Sequence, residues 1–207
     1  MKVTTLCDAS YASNCYLVSD DAGTGTILID PSLSPSVAEG VVGALPRIDR
    51  ILLTHGHFDH MLALDAWRRL TGAPLFISSF DAPALTSPDI SCYRSFLHLD
   101  TVHAPADGYL AAGDRVEVGQ ETLTVLEVPG HTPGSLCFDS GSLLFTGDTL
   151  FAHGGYGRYD LPGGDVAQLA ASLRALLTLS GERRIFSGHG EETTLSEAKK
   201  YFNFLRG

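Results

Sequence analysis

A chain of 207 residues, 44% hydrophobic and 18% charged, is long enough to bury one sizeable core and has the make-up of a soluble globular protein. Its formal net charge of -10 argues against nucleic acid and anionic membranes as partners, because both are held through basic faces. No apolar run reaches the length of a membrane span, and the N-terminus has no charged segment leading into an apolar one, so the expected location is the cytoplasm.

Asn14–Val18 and Thr26–Asp30 read as paired strands around the turn Asp21-Ala22-Gly23-Thr24-Gly25. A short helix over Ser36–Leu45 stops at Pro46. The apolar strand Arg50–Leu53 then delivers Thr54-His55-Gly56-His57-Phe58-Asp59-His60, with three imidazoles and a carboxylate within six residues. Imidazole nitrogen and carboxylate oxygen suit zinc and similar divalent metals, and no structural role requires so many together. A helix over Met61–Leu70 ends at Gly72, and Pro74–Ser78 is a further strand. Residues 80 to 108 carry the weakest pattern. Short helices over Asp81–Leu85 and Ile90–Leu97, with Phe80, Tyr93 and Phe96, read as a loop or helical excursion over the site.

Strands resume at Asp114–Val118, Leu123–Val128, Ser135–Asp139 and Ser142–Phe145. The helix Asp165–Leu179 places Val166, Leu169, Leu173, Leu176 and Leu177 on one face. Arg184–Ser187 is a last strand, and the capping box Thr194/Glu197 opens a final helix to Leu205. This order predicts an α+β fold, a four-layer αββα sandwich of two mixed sheets packed face to face with helices outside.

Three later segments repeat the pattern of strand end, tight turn and ligand: Pro129-Gly130-His131-Thr132-Pro133-Gly134, Thr146-Gly147-Asp148-Thr149 and Ser187-Gly188-His189-Gly190. Each alone is an ordinary turn or surface histidine. Together with the first run they supply five histidines and two aspartates, a number that suits two metal ions bridged by one carboxylate. His98, His103 and His153 lack the glycine-flanked context and read as surface or supporting residues. Trp67 reads as core, and Tyr93 and Phe96 as pocket lining or an apolar helix face. Asp160 reads as a turn former before Leu161-Pro162. Cys7, Cys15, Cys92 and Cys137 form no CxxC pair and read as buried free thiols.

These motifs resemble the metallo-β-lactamase superfamily over nearly the whole chain. The resemblance implies that His55, His57 and His131 hold one metal, that Asp59, His60 and His189 hold a second, that Asp148 bridges them, and that Asp30 has a supporting structural role. Gly130-His131-Thr132-Pro133-Gly134-Ser135, Thr146-Gly147-Asp148-Thr149-Leu150-Phe151 and Gly157-Arg158-Tyr159-Asp160-Leu161-Pro162-Gly163-Gly164 further resemble the glyoxalase II branch, the hydroxyacylglutathione hydrolases. That branch implies a binuclear, metal-dependent thioesterase acting on S-D-lactoylglutathione or a related small-molecule acyl-thiol. Its two divalent ions are zinc first, with iron or manganese as alternatives. A metal-bridging hydroxide attacks, Asp59 orients it, and Tyr156 and Arg158 are candidate substrate contacts. The chain ends soon after the last ligand, so one hydrolase domain over 1–207 is expected, without the C-terminal helical domain that binds glutathione. A persulfide dioxygenase with one iron and a lactonase of the same fold are the competing activities. The sequence does not indicate an oligomeric state.

Overall fold

In the computed structural model, which describes residues 1–7 and 13–202, two six-stranded sheets form the body of the molecule. The first sheet takes its strands from the N-terminal half: β1 (Lys2–Leu6), β2 (Cys15–Ser19), β3 (Thr26–Ile29), β4 (Arg50–Leu52), β5 (Leu75–Ser78) and β6 (Gly108–Leu110), side by side in chain order. Pairing is antiparallel from β1 to β3 and parallel from β3 to β6. Parallel neighbours need crossovers, and the helices α1 (Pro35–Val42) and α2 (Leu64–Thr71) supply them. The short helix α3 (Tyr93–Leu97) lies in the long connection before β6.

The second sheet comes from the C-terminal half: β7 (Arg115–Val118), β8 (Glu121–Glu127), β9 (Leu136–Asp139), β10 (Leu143–Gly147), β11 (Arg184–Ser187) and β12 (Thr193–Thr194), again in chain order. Only β10 and β11 pair in parallel, joined by α4 (Val166–Leu177); α5 (Leu195–Tyr201) follows β12.

Side-chain alternation explains the layering. In β3, Ile27 and Ile29 join Phe138, Phe145 and Phe186 between the sheets, while Leu28 turns outward to the layer containing Trp67. A strand apolar on both faces must be covered on both. On the far side Cys137, Leu144 and Ile185 pack against Leu169, Leu173 and Leu176 of α4. The αββα sandwich expected from the sequence is therefore the observed fold. Trp67 is fully buried and its indole nitrogen donates to Leu33 O at 2.7 Å. Burying each such apolar side chain contributes roughly 1.5–3 kcal/mol.

Several boundaries differ from expectation. Helix α1 ends at Gly43 (φ +81°), short of Leu45. Helix α2 starts at Leu64 because Phe58–His60 form a single 3₁₀ turn that aims the ligands. The expected end of the last helix at Leu205 lies outside the described residues. Three cysteines are buried, but Cys7 is exposed. No helix among the described residues is long and apolar enough to cross a membrane.

Candidate metal centre

Strands β3, β4 and β5 run in one sense, as do β8, β10 and β11 in the other sheet. The loops leaving these strands carry Asp30, His55–His60, Asp81, His131, Asp148 and His189. Ligand sites form at the carboxyl ends of strands because loops there are free to vary while the sheet holds their roots. The two sheets meet at this edge, where Leu136 N donates to Thr54 O at 2.8 Å.

All seven predicted ligands are brought together. His55, His57 and His131 form one three-donor group and Asp59, His60 and His189 another; His55, His60 and Asp148 form a third between them. His131 Nε2 lies 2.9 Å from His57 Nδ1 and 3.1 Å from His55 Nε2. Asp148 reaches both groups, with Oδ1 3.2 Å from His60 Nε2 and Oδ2 3.5 Å from His131 and 3.6 Å from His189. Asp59 Oδ2 is 3.1 Å from His189 Nε2 and 3.9 Å from His60 Nε2.

The proton positions follow from the partners. His131 Nδ1 is 2.6 Å from the Arg158 carbonyl, which only accepts, so the proton sits on Nδ1 and Nε2 presents a lone pair. Thr54 gives its hydroxyl proton to Asp30 Oδ2 at 2.7 Å, so it accepts from His55 Nδ1 at 3.1 Å. His55 Nε2 is then a lone pair as well. Two buried lone pairs 3.1 Å apart repel unless a cation lies between them. Likewise His60 donates from Nδ1 to Asp30 Oδ2 at 2.8 Å, and its Nε2 and Asp148 Oδ1 are buried without a hydrogen-bond partner. The donor set fits divalent metal, and His55, His60 and His131 are each oriented by a partner on the other nitrogen.

The electrostatics agree. Burial, reinforced by His60, His131 and His57, drives the His55 imidazole well below its ordinary value. Burial also lowers His57, to about 3. Burial opposes protonation of His60, but the carboxylates of Asp148, Asp30 and Asp59 outweigh it and raise that imidazole. Asp148 is held well below the carboxylate range, since His60, His131 and His189 overcome the cost of burying it.

Asp30, at φ +51°, accepts from Thr54 N, Thr54 Oγ1 and His60 Nδ1, so the supporting role expected of it has a concrete form. Other supports were not read from the sequence. Asp81 accepts from Gly56 N at 2.9 Å, Thr132 Oγ1 at 2.7 Å and Gly134 N at 2.8 Å, and so locks the first ligand turn to the His131 loop. Asn14 Nδ2 donates to Ser187 O and Gly190 O, and Tyr16 donates its hydroxyl to Ser187 O, together fixing the His189 turn. Their only signal was a polar residue beside a strand, which most strands show. Two glycines are required by close approach. A Cβ at Gly188 would lie 2.1 Å from Asp148 Oδ1, and one at Gly157 2.1 Å from Asp148 O.

A cleft of about 400 Å³ opens over the ligands, lined also by Cys92, Phe96, Phe151, Tyr156, Arg158 and Leu161. Tyr156 and Arg158, the candidate substrate contacts, therefore line the cleft over the ligands. Phe96 lines the cleft, whereas Tyr93 is buried and pairs with His103 at 3.1 Å. The excursion of residues 80 to 108 does cover the site. Asp160 departs from expectation: it forms a two-bonded ion pair with Arg158, at 2.9 and 2.8 Å. His103 is buried away from the ligands beside Asp65, and His153 is exposed and pairs with Glu191.

A family model described as the metallo-beta-lactamase superfamily matches residues 10–189. The chain is 34% identical over 204 residues to the probable metallo-hydrolase YqgX of Bacillus subtilis, covering 95% of this chain and 93% of that one. It is 39% identical over 177 residues to a hydroxyacylglutathione hydrolase of Cereibacter sphaeroides, covering 84% of this chain and 61% of the relative. Among solved structures, the BLEG-1 B3 metallo-beta-lactamase superposes over the full length of both chains with a TM-score of 0.90 at 29% identity. TTHA1623 in a di-iron-bound form superposes over 97% of each chain, with a TM-score of 0.78 at 35% identity.

Proposed function

The chain belongs to the metallo-beta-lactamase superfamily, and we propose that within it the protein is a two-metal hydrolase of thioesters, acting on a small acyl-thiol of the class to which S-D-lactoylglutathione belongs. The observation that carries this reading is the convergence of seven metal-binding side chains, among them the facing lone pairs of His55 Nε2 and His131 Nε2 3.1 Å apart. His55, His57 and His131 would hold one ion, Asp59, His60 and His189 the other, and Asp148 would bridge them. Zinc is the first choice on donor chemistry, with iron or manganese as alternatives. Bound divalent metal supplies a Lewis acid that makes hydroxide available near neutral pH and polarises a carbonyl.

The protein's own residues do the rest. The Asp59 carboxylate, held ionised by His60 and His189 against the cost of its burial, faces the cleft and accepts a proton from the attacking water. That water adds to the thioester carbon, the C–S bond breaks, sulfur leaves as a thiolate, and the new carboxylic acid gives its remaining proton to solvent and ends as a carboxylate. The resemblance of the stretch Gly157–Gly164 to the glyoxalase II branch supports the thioester over other esters, and its Arg158, with Tyr156 just before it, lines the cleft. An oxygen-using enzyme with one iron held at His55, His57 and Asp148 needs only three of the donors and leaves Asp59, His60, His131 and His189 without a task. We place the enzyme in the cytoplasm, with small molecules rather than nucleic acid or membrane as its partners.

Zinc-loaded protein is expected to carry two ions per chain and to hydrolyse acyl-thiols. Changing His57→Ala lowers kcat/KM about a thousandfold, the scale of several kcal/mol of lost charge stabilisation. Turnover of lactones or phosphoesters alone by the two-metal protein would overturn the thioester reading.

A further inference from the structure

A second cavity of about 230 Å³ adjoins the cleft, and His57 belongs to the walls of both. It is lined chiefly by apolar surface from Phe80, Pro83, Ala84, Ile90, Pro133 and Pro162. Its one carboxylate, Asp81, is already occupied by Gly56 N, Gly134 N and Thr132 Oγ1. The recess touches Gly56, His57 and Thr132, on the side of the three-histidine group, and none of Asp59, His60 or His189. Among the described residues lining the two cavities, Arg158 is the one Lys or Arg. Its guanidinium is bound two-fold by Asp160 and lies 5.7 Å from the Phe96 ring, so its charge is largely spent within the protein. The chain as a whole carries -10.

We infer, building on the thioester reading, that the recess beside His57 takes an uncharged, apolar acyl arm, and that doubly anionic glutathione esters are poor substrates. Apolar walls without an open donor or acceptor favour a hydrocarbon and penalise a buried carboxylate. Glutathione brings two carboxylates to a cleft whose one guanidinium is already paired with Asp160, so no Lys or Arg of the lining is free to receive them. The acyl arm takes the recess because the recess opens beside His57, whereas Phe151, Tyr156 and His189 line the cleft alone and are left to face the sulfur.

The test compares zinc-loaded protein on hexanoyl and acetyl thioesters of N-acetylcysteamine, an uncharged thiol, and on S-D-lactoylglutathione. The hexanoyl ester is expected to have the highest kcat/KM. Phe80 and Ile90 are 67% and 42% exposed, so their alanine variants fold. Phe80→Ala with Ile90→Ala should lower the hexanoyl-to-acetyl ratio of kcat/KM about tenfold. Asp160→Asn, which frees Arg158, should raise kcat/KM on the glutathione ester about fivefold. A preference for S-D-lactoylglutathione, or an unchanged hexanoyl-to-acetyl ratio in the double variant, overturns the inference and leaves the thioesterase reading standing. Failure to hydrolyse any of the three thioesters overturns both.

Discussion

At the scale of single residues, Asp81 shows how much of the centre depends on groups that never touch metal. Its carboxyl is raised by burial, against the pull of Thr132 and the two glycine amides, so the hydrogen bonds hold an ionised form that the interior resists. Asp81→Asn replaces one acceptor with a donor facing donors. It should cost about 1–3 kcal/mol in urea denaturation and weaken metal binding about 10- to 100-fold in a chelator competition. Unchanged affinity would mean the two loops hold their own shape. Gly188→Ala is a sharper probe, since the new methyl occupies the place of Asp148 Oδ1. Metal analysis of that variant should fall from two ions per chain toward one. The seven ligands were legible because they cluster as types: HxHxDH and the three glycine-flanked positions are rare combinations. Asp81, Asn14 and Tyr16 were not legible, because their partners, all but Thr132 Oγ1 backbone atoms, lie more than 20 positions away and no residue type records that.

Elements were read best where both faces or one clear stripe are apolar. Strand β11 was placed to the residue and α4 nearly so, on the buried run Ile185–Ser187 and the stripe Leu169, Leu173, Leu176 and Leu177; Val166, expected on the same face, is exposed because it lies in the first turn beyond the covered part of the sheet's face. Strand β6 was missed because three residues, Gly108, Tyr109 and Leu110, give no alternation, and the Tyr109 side chain faces solvent. The turn between β2 and β3 was found, but not what it joins. Asp20 accepts from Thr24 N, Thr24 Oγ1 and Gly25 N in its own turn and from Gln120 N in the β7–β8 turn of the other sheet. The Thr24 hydroxyl, with the amides, holds the Asp20 carboxyl down at about 2. A folded-state value below the unfolded one means the contribution is present above the unfolded value and is lost as pH falls toward the folded one. Unfolding midpoints of the native chain should therefore drop between about pH 4 and about pH 2, and Asp20→Asn should flatten that limb while lowering stability at neutral pH. An identical acid limb in both proteins would exclude this corner as its origin.

Across the whole molecule, the cost of gathering buried donors has to be repaid by whatever binds them. Metal that binds only the folded chain stabilises it by about 4 kcal/mol at a thousand times its Kd. For a chain of this size that is roughly 10 °C in Tm, and scanning calorimetry with zinc and with chelator should show it. An insensitive Tm would argue against a metal centre. Each three-donor group is also divided along the chain: His55 and His57 stand on the first half and His131 on the second, as do Asp59 and His60 against His189. Neither half owns a complete set. Ions held there would thus act as a clasp across the seam, and a chain opened in the link between β6 and β7 would become a two-piece sensor. Its halves, expressed apart, should reunite in proportion to free zinc and part again under chelation, which a fluorescent label on each would report.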